Sequence, residues 1–195
     1  YLATAKLQHA GLAVPRTAVC QTVDDALDFF RALGGDVVVK PLFGAEGRGI
    51  ARVNDEAMMV RATKLLTGLG AVGYLQEFVD HKGEDYRLLV VGDQVLGMRR
   101  ISRDDWRTNV SRGAKTAVLP VDDQLSQLAR RAARATGTQL AGVDVLPATD
   151  GTRYVIEVNA VPGWRALART LNIDVAAIVL QYLTQAASLP PGERP

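Results

Sequence analysis

The pattern of apolar and polar positions is clearest at residues 154–159, Tyr-Val-Ile-Glu-Val-Asn. It alternates, which is the period of a half-buried strand. Tyr154, Ile156 and Val158 are expected to face a core, and Val155, Glu157 and Asn159 the other side. A second apolar run, 140–146, carries one carboxylate, Asp144, and reads as a neighbouring antiparallel strand. Upstream, short apolar runs alternate with helical stretches. A helix over 1–10 stops at Gly11, and a strand covers 18–20. A helix runs from Thr22 to about Leu33 and ends at Gly34 and Gly35. A buried strand, 37–39, closes at Lys40 and Pro41, and another covers 50–53. Asn54 is expected to cap a helix to Leu66, with Met58 and Met59 as core filler. The glycine-rich stretch 68–73 reads as the break between two lobes. A strand at 74–79 follows, then a hairpin, 85–92 with 94–100, turning at Gly92 and Asp93. Asp122 caps a helix to about Ala135, ended by Gly137. Its inner stripe is Leu125, Leu128, Ala129, Ala132 and Ala133. A turn at 161–164 leads to an amphipathic helix, 174–187, and a frayed tail, 188–195. Trp106 and Trp164 read as packing residues.

The chain has 195 residues, enough for one large domain or two small lobes. Hydrophobic content of 48% and charged content of 23% are those of a globular protein. A net charge of +2 is too small to argue for nucleic acid. Cys20 is the single cysteine, and His9 and His81 lie far apart, so neither a disulfide framework nor a zinc site is expected. No run is apolar and long enough to span a bilayer, and no secretory leader opens the chain, so the expected compartment is the cytoplasm. The first residue is Tyr1, not Met, inside a helix, which reads as a piece of a longer protein.

Three clusters carry chemistry. Glu157 and Asn159 share a strand face, and a carboxylate at Asp144 would sit beside them. Such an oxygen set suits magnesium held for a nucleotide's phosphates, whereas the plainer reading leaves Asp144 and Glu157 on a solvated sheet face. Gly44-Ala-Glu-Gly-Arg-Gly49 joins two strands. Its order is wrong for a Walker A loop and is closer in kind to the kinase flap that covers phosphates from above. A plain hairpin turn explains the same glycines. Lys40 feeds this loop, either as a phosphate contact or as an exposed strand-end lysine. Arg87 and Arg100 fall on the hairpin strands, and 103–113 carries Arg103, Arg107 and Arg112. These are either a solvated surface set or bidentate holders of carboxylate and phosphoryl oxygens.

Taken in order, strand lysine, glycine flap, Gln76-Glu77-Phe78, Asp85-x-Arg87, Arg107-Thr108-Asn109, Gly142-Val-Asp144 and Glu157-Val-Asn159-x-x-Pro-Gly resemble the ATP-grasp superfamily, and closely its RimK-like glutamate ligases. The likeness runs from about Val14 to Tyr182. It implies an α/β (α+β) ATP-grasp fold, two α/β lobes with ATP between them. It divides the chain into a leading helix at 1–14, a small lid lobe at 15–73 and a large lobe with the metal site at 74–195. It further implies that Lys40 contacts the ATP phosphates and that Gly44, Gly47, Arg48 and Gly49 close over them. Gln76, Glu77 and Phe78 would clasp adenine, and Asp85, with Glu84, would reach the ribose. Arg107 and Asn109 would lie near the phosphates. Asp144, Glu157 and Asn159 would carry magnesium or manganese. Arg87, Arg100 and Arg112 would be the catalytic groups that hold the acyl substrate and the acyl phosphate. The implied reaction adds L-glutamate to a carboxylate acceptor, a protein C-terminus or a small cofactor. The ending Ala-Val-Pro-Gly-Trp-Arg is more similar to the branch that glutamylates tetrahydromethanopterin. The alternatives are a ligase for another amino acid or amine and a non-catalytic, synapsin-like ATP-binding module. A family lysine and a small domain would precede Tyr1. Neither nucleic acid nor membrane is an expected partner, and homo-oligomerisation stays open.

Overall fold

In the computed structural model the described residues are 1–41 and 49–188. They form two compact units, Tyr1–Ala5 with Val14–Asp80 and Lys6–Ala13 with His81–Pro195. The opening helix α1 (Leu2–His9) therefore contributes to both.

The first unit is a four-stranded sheet backed by two helices. Strand β1 (Thr17–Cys20) leads into α2 (Val23–Ala32), where the Thr22 hydroxyl accepts from the Asp25 N–H at 3.1 Å. Strand β2 (Val37–Pro41) pairs antiparallel with β3 (Ala51–Val53), the expected hairpin. Residues 42–48, and with them Gly44, Gly47 and Arg48, lie outside the described residues. Helix α3 (Glu56–Gly68) is capped by Asp55, not Asn54: its carboxylate accepts from the Met58 N–H at 2.9 Å. Strand β4 (Gly73–Glu77) lies between β1 and β2 in the order β1-β4-β2-β3. Sequence 74–79 thus completes the first sheet, and the two units divide at Asp80 and His81, later than the glycine-rich stretch. Gly73 is required at its place because a Cβ there would lie 2.8 Å from the Cys20 sulfur. One sheet face buries Val37, Val39, Val53 and Leu75 against Ala26, Phe30 and Met59 of the two helices.

The second unit is a five-stranded antiparallel sheet, β7-β6-β5-β8-β9. The hairpin of β5 (Glu84–Val91) and β6 (Gln94–Ile101) turns at Gly92, whose φ of 58° suits a residue without a Cβ. A 3₁₀ turn, Val110–Arg112, precedes the edge strand β7 (Lys115–Val118). Helix α4 (Asp123–Thr136) starts on the Asp122 carboxylate, which accepts from the Leu125 N–H at 2.7 Å, and ends on left-handed Gly137. Strands β8 (Leu140–Pro147) and β9 (Arg153–Asn159) follow. A short helix α5 (Arg165–Leu171) comes between the expected turn and α6 (Val175–Ser188). Residues 189–195, the expected tail, lie outside the described residues. No single helix among the described residues is long and apolar enough to cross a membrane.

The two faces of this sheet differ. Helix α4 packs on β5, β6, β8 and β9, over Leu88, Val90, Val143, Val145 and Val155, all at most 1% exposed. On the other face, Leu89, Val91 and Met98 are buried by Leu167, Val175 and Val179 of α5 and α6. Register then places Asp85, Arg87, Arg100 and Asp144 on that second face, beyond the apolar half.

Helix α3 tests the burial pattern. Met59 is fully buried and Met58 is 50% exposed, so only one of the two is core filler. Met59→Ala is expected to cost about 2–5 kcal/mol in urea denaturation. Met58→Ala is expected to stay within about 0.5 kcal/mol.

Candidate active site

The strand pair β8–β9 sets the site. Asp144 pairs directly with Glu157 across the ladder, and Gly142 with Asn159, so the three oxygen-bearing side chains share one sheet face. The alternation expected for 154–159 is broken, however. Asp144 pairs with Glu157 but Val145 with Val155, leaving Ile156 as an extra residue in a β-bulge. Val155 therefore turns to the α4 face and is 1% exposed, opposite to Glu157. Glu157 is exposed, and the Asn159 carboxamide oxygen accepts from the Val161 N–H at 2.9 Å. Among the described residues, no three His, Cys, Asp or Glu side chains gather as metal ligands. The candidate set is two carboxylates and one carboxamide.

Asp144 is not a solvated surface residue. It is 6% exposed and accepts from Arg87 Nη1 at 2.6 Å and from Arg100 Nη2 at 2.9 Å, one guanidinium on each oxygen. Arg100 also grips Asp85 through Nε and Nη2, both at 2.6 Å. The hydroxyl of Thr108 donates to Asp85 at 2.5 Å. Burial raises the Asp144 carboxyl, but Arg100 and Arg87 outweigh it and hold the group below its ordinary value. Burial pushes Asp85 up to about 6 against the pull of Arg100. The difference follows from partner number, since Asp144 answers two guanidiniums and Asp85 one.

The expected ribose role of Asp85 does not fit this placement. Its side chain is 3% exposed, and both its oxygens are occupied within the sheet. Arg100, expected to hold substrate, is likewise committed to two aspartates. Thr108 is the network member not anticipated. The signal was available, because it is the middle residue of Arg107-Thr108-Asn109. Arg107 folds back on Asp105, with Nε at 2.9 Å and Nη2 at 2.8 Å from one carboxylate oxygen. Asn109 precedes the 3₁₀ turn, Arg112 ends it, and the Arg112 side chain lies outside the described part of the structure. Glu84 lies 3.7 Å from Arg99.

The first unit gathers a second group of candidates by itself. Lys40 donates to the Gln76 carboxamide oxygen at 2.6 Å, and Gln76, 4% exposed, donates to Thr17 at 3.1 Å. Lys40 and Gln76 thus meet on one face, away from the α2–α3 core. Glu77 accepts from the Arg16 N–H and from its Nε, and its own N–H donates to the Arg16 carbonyl at 2.9 Å. The Phe78 N–H donates to the Asp36 carbonyl, and the Arg52 guanidinium stacks 3.5 Å above the Phe78 ring. Gly49 lies just before β3 with φ of 72°.

The fold is that of the ATP-grasp ligases. One, PsnB, solved with Mg, ADP and a phosphomimetic variant of its minimal precursor, matches 93% of this chain and 56% of its own at a TM-score of 0.73 and 25% identity. D-cycloserine synthetase DcsG shares the fold at a TM-score of 0.74 and 20% identity, over 93% of this chain and 68% of its own. In sequence, tetrahydromethanopterin:alpha-L-glutamate ligase of Methanococcus maripaludis is 37% identical over 83% of this chain and 56% of its own. Ribosomal protein bS6--L-glutamate ligase of Escherichia coli is 33% identical over 93% and 62%. Residues 1–183 match the RimK-like ATP-grasp domain, and the chain belongs to that family. It spans 56% and 62% of the length of these two curated ligases.

Two substitutions probe the network. Asp144→Ala leaves two buried guanidiniums short of a partner and is expected to cost about 3–5 kcal/mol in chemical denaturation at pH 7. Because the folded-state pKa of Asp144 is lowered, its contribution is present above the unfolded value of 3.8 and lost as pH falls through the folded one. The difference between wild type and variant is therefore expected to shrink below that pH. Gly142→Ala would bring a Cβ to 2.9 Å from Pro162 Cβ and 3.1 Å from Arg87 Cζ. It is expected to cost about 1–3 kcal/mol by the same assay.

Proposed function

We propose that this chain supplies the nucleotide- and metal-binding part of an ATP-dependent ligase. The ligase joins L-glutamate to a carboxylate acceptor through an acyl phosphate. The observation that carries this reading is the register of β8 and β9, which sets Asp144 opposite Glu157 on one face, with Arg87 and Arg100 on the same carboxylate. Oxygen donors of this kind suit magnesium or manganese, and the flanking guanidiniums suit a cation that arrives with anionic oxygens. The residues present thus fit a metal–nucleotide complex. Asp144, Glu157 and Asn159 would hold the metal, which neutralises phosphate charge when bound.

In the proposed reaction an acceptor carboxylate oxygen attacks the γ-phosphorus, the bond to the bridging oxygen breaks and ADP leaves. The glutamate amine then attacks the acyl carbon, phosphate departs, and the amine proton passes to water. This chain's residues bind and neutralise, without a covalent intermediate on the protein. Lys40, positioned by Gln76, would contact the phosphates, with Gly49 beside them. Gln76, Glu77 and Phe78 would hold the base, mainly through groups other than the Glu77 and Phe78 N–H. Arg87 and Arg112 would hold acyl or phosphoryl oxygens, with Arg107 and Asn109 near the phosphates. Arg100 and Asp85 would form the frame that keeps Asp144 and Arg87 in place. The acceptor would be a carboxylate on a small cofactor or a protein C-terminus; the relatives are named for tetrahydromethanopterin and for ribosomal protein bS6.

Measuring ADP release by the full-length protein tests this directly. Release is expected to require glutamate together with a carboxylate acceptor, and release that ignores both overturns the reading. Asn159→Ala is expected to keep the fold and weaken binding of the magnesium–ATP complex about tenfold or more, as for other lost metal-site or charge-stabilising groups. Isothermal titration checks it, and unchanged affinity removes Asn159 from the metal set.

A further inference from the structure

Four charged side chains share the buried part of the second sheet, and they are not held equally. Arg100 has a bidentate partner in Asp85, itself fixed by Thr108, and a further bond to Asp144. Arg87 donates Nη1 to Asp144 at 2.6 Å, and among the described residues no other carboxylate lies within ion-pair distance of it. If Asp144 turns an oxygen elsewhere, Arg100 keeps Asp85, while Arg87 loses its anchor. The Arg87 guanidinium lies over Gly142, where a Cβ would stand 3.1 Å from Cζ, so the absence of a side chain at Gly142 is what admits it, and its side chain keeps 13% exposure.

Resting on the reading of Asp144, Glu157 and Asn159 as metal donors, we propose that Asp144 is a shared acceptor that makes cation and anion binding here mutually dependent. Arg87, held on the carboxylate a divalent cation needs, opposes a bare cation by direct repulsion at short range and low dielectric. A polyanion that brings its own oxygens to the cation, a phosphoanhydride or an acyl phosphate, gives Arg87 a second partner and frees Asp144 for the metal. The ligand class follows from the number of groups to be met. Asp85, Asp144, Arg87 and Arg100 sum to zero, so a divalent cation with Glu157 leaves one net positive charge; a monocarboxylate cancels it with a single anionic group, whereas a phosphoanhydride or acyl phosphate brings oxygens for the cation and for Arg87 at once. Thermodynamic reciprocity then requires the anion to tighten the metal by the factor by which the metal tightens the anion.

The test uses the full-length protein and Mn²⁺, with free ion measured by electron paramagnetic resonance, with and without ADP. Arg87→Gln is expected to bind Mn²⁺ alone about tenfold more tightly than wild type, one logarithmic unit of interaction. With ADP present that gain should vanish or reverse. Arg87→Lys keeps the charge and is expected to bind bare Mn²⁺ as weakly as wild type. No gain in Arg87→Gln, or an equal gain in Arg87→Lys, overturns the proposal. Asp144→Asn separates it from the reading it rests on: unchanged Mn²⁺ affinity with ADP present removes the metal site itself. Should Arg87→Gln fail to fold, wild type still decides. At fixed free Mn²⁺, adding ADP must raise Mn²⁺ retained by the protein at least tenfold after the Mn²⁺–ADP complex of a protein-free control is subtracted, and equal occupancy overturns the proposal.

Discussion

The charge balance inside the second sheet constrains everything around it. Two aspartates and two arginines lie where water is largely excluded, and each is tolerable only because the others are present. Asp144 is central to that balance, since it takes one guanidinium on each oxygen. Asp85 and Thr108 serve it at one remove, by fixing Arg100. A buried cluster of this kind adds little net stability compared with an apolar filling of the same shape. Its value is in placing charged groups where a hydrophobic core would place none.

The sheet can carry such a cluster because its faces are divided. Helix α4 seals one face with an all-apolar contact, and α5 and α6 seal half of the other through Leu89, Val91 and Met98. The half of that second face beyond α5 and α6 holds the ionic residues, themselves largely buried. The same division recurs in the first unit, where α2 and α3 take one face of the sheet and Lys40, Gln76 and Thr17 meet on the other. In each unit helices supply the stability on one side and leave the other to polar chemistry.

Much of this was legible in the chain. The hairpin at Gly92, the helix from Asp122 to Gly137 and the pairing of the 140–146 run with 154–159 depend on strong local signals: turn residues, caps and period. What escaped depends on weaker ones. Strand β7 is a short edge strand with a mixed Lys-Thr-Ala-Val sequence, and α5 starts without a side-chain cap. Asn54 and Asp55 are both good caps, and propensity does not choose between neighbours. In the site, the sharing of a face by Asp144, Glu157 and Asn159 was readable. The inward commitment of Asp85 and Arg100 was not, because it arises from cross-strand register between β5, β6 and β8. Asp85 and Arg100 face each other across one ladder and Arg87 faces Asp144 across the next, distances that no local pattern encodes.

Ile156 has a role out of proportion to its chemistry. As the unpaired residue of the bulge it lets β9 present Val155 to one side and Glu157 to the other. A regular strand of the same length, without the bulge, would put residues 155 and 157 on one face and would have to choose, either burying a carboxylate beneath α4 or lifting a valine out of the core. The slip in register at this point, rather than any side chain in the strand, is what allows a single ladder to serve as wall for an oily interior and as floor for an ionic one.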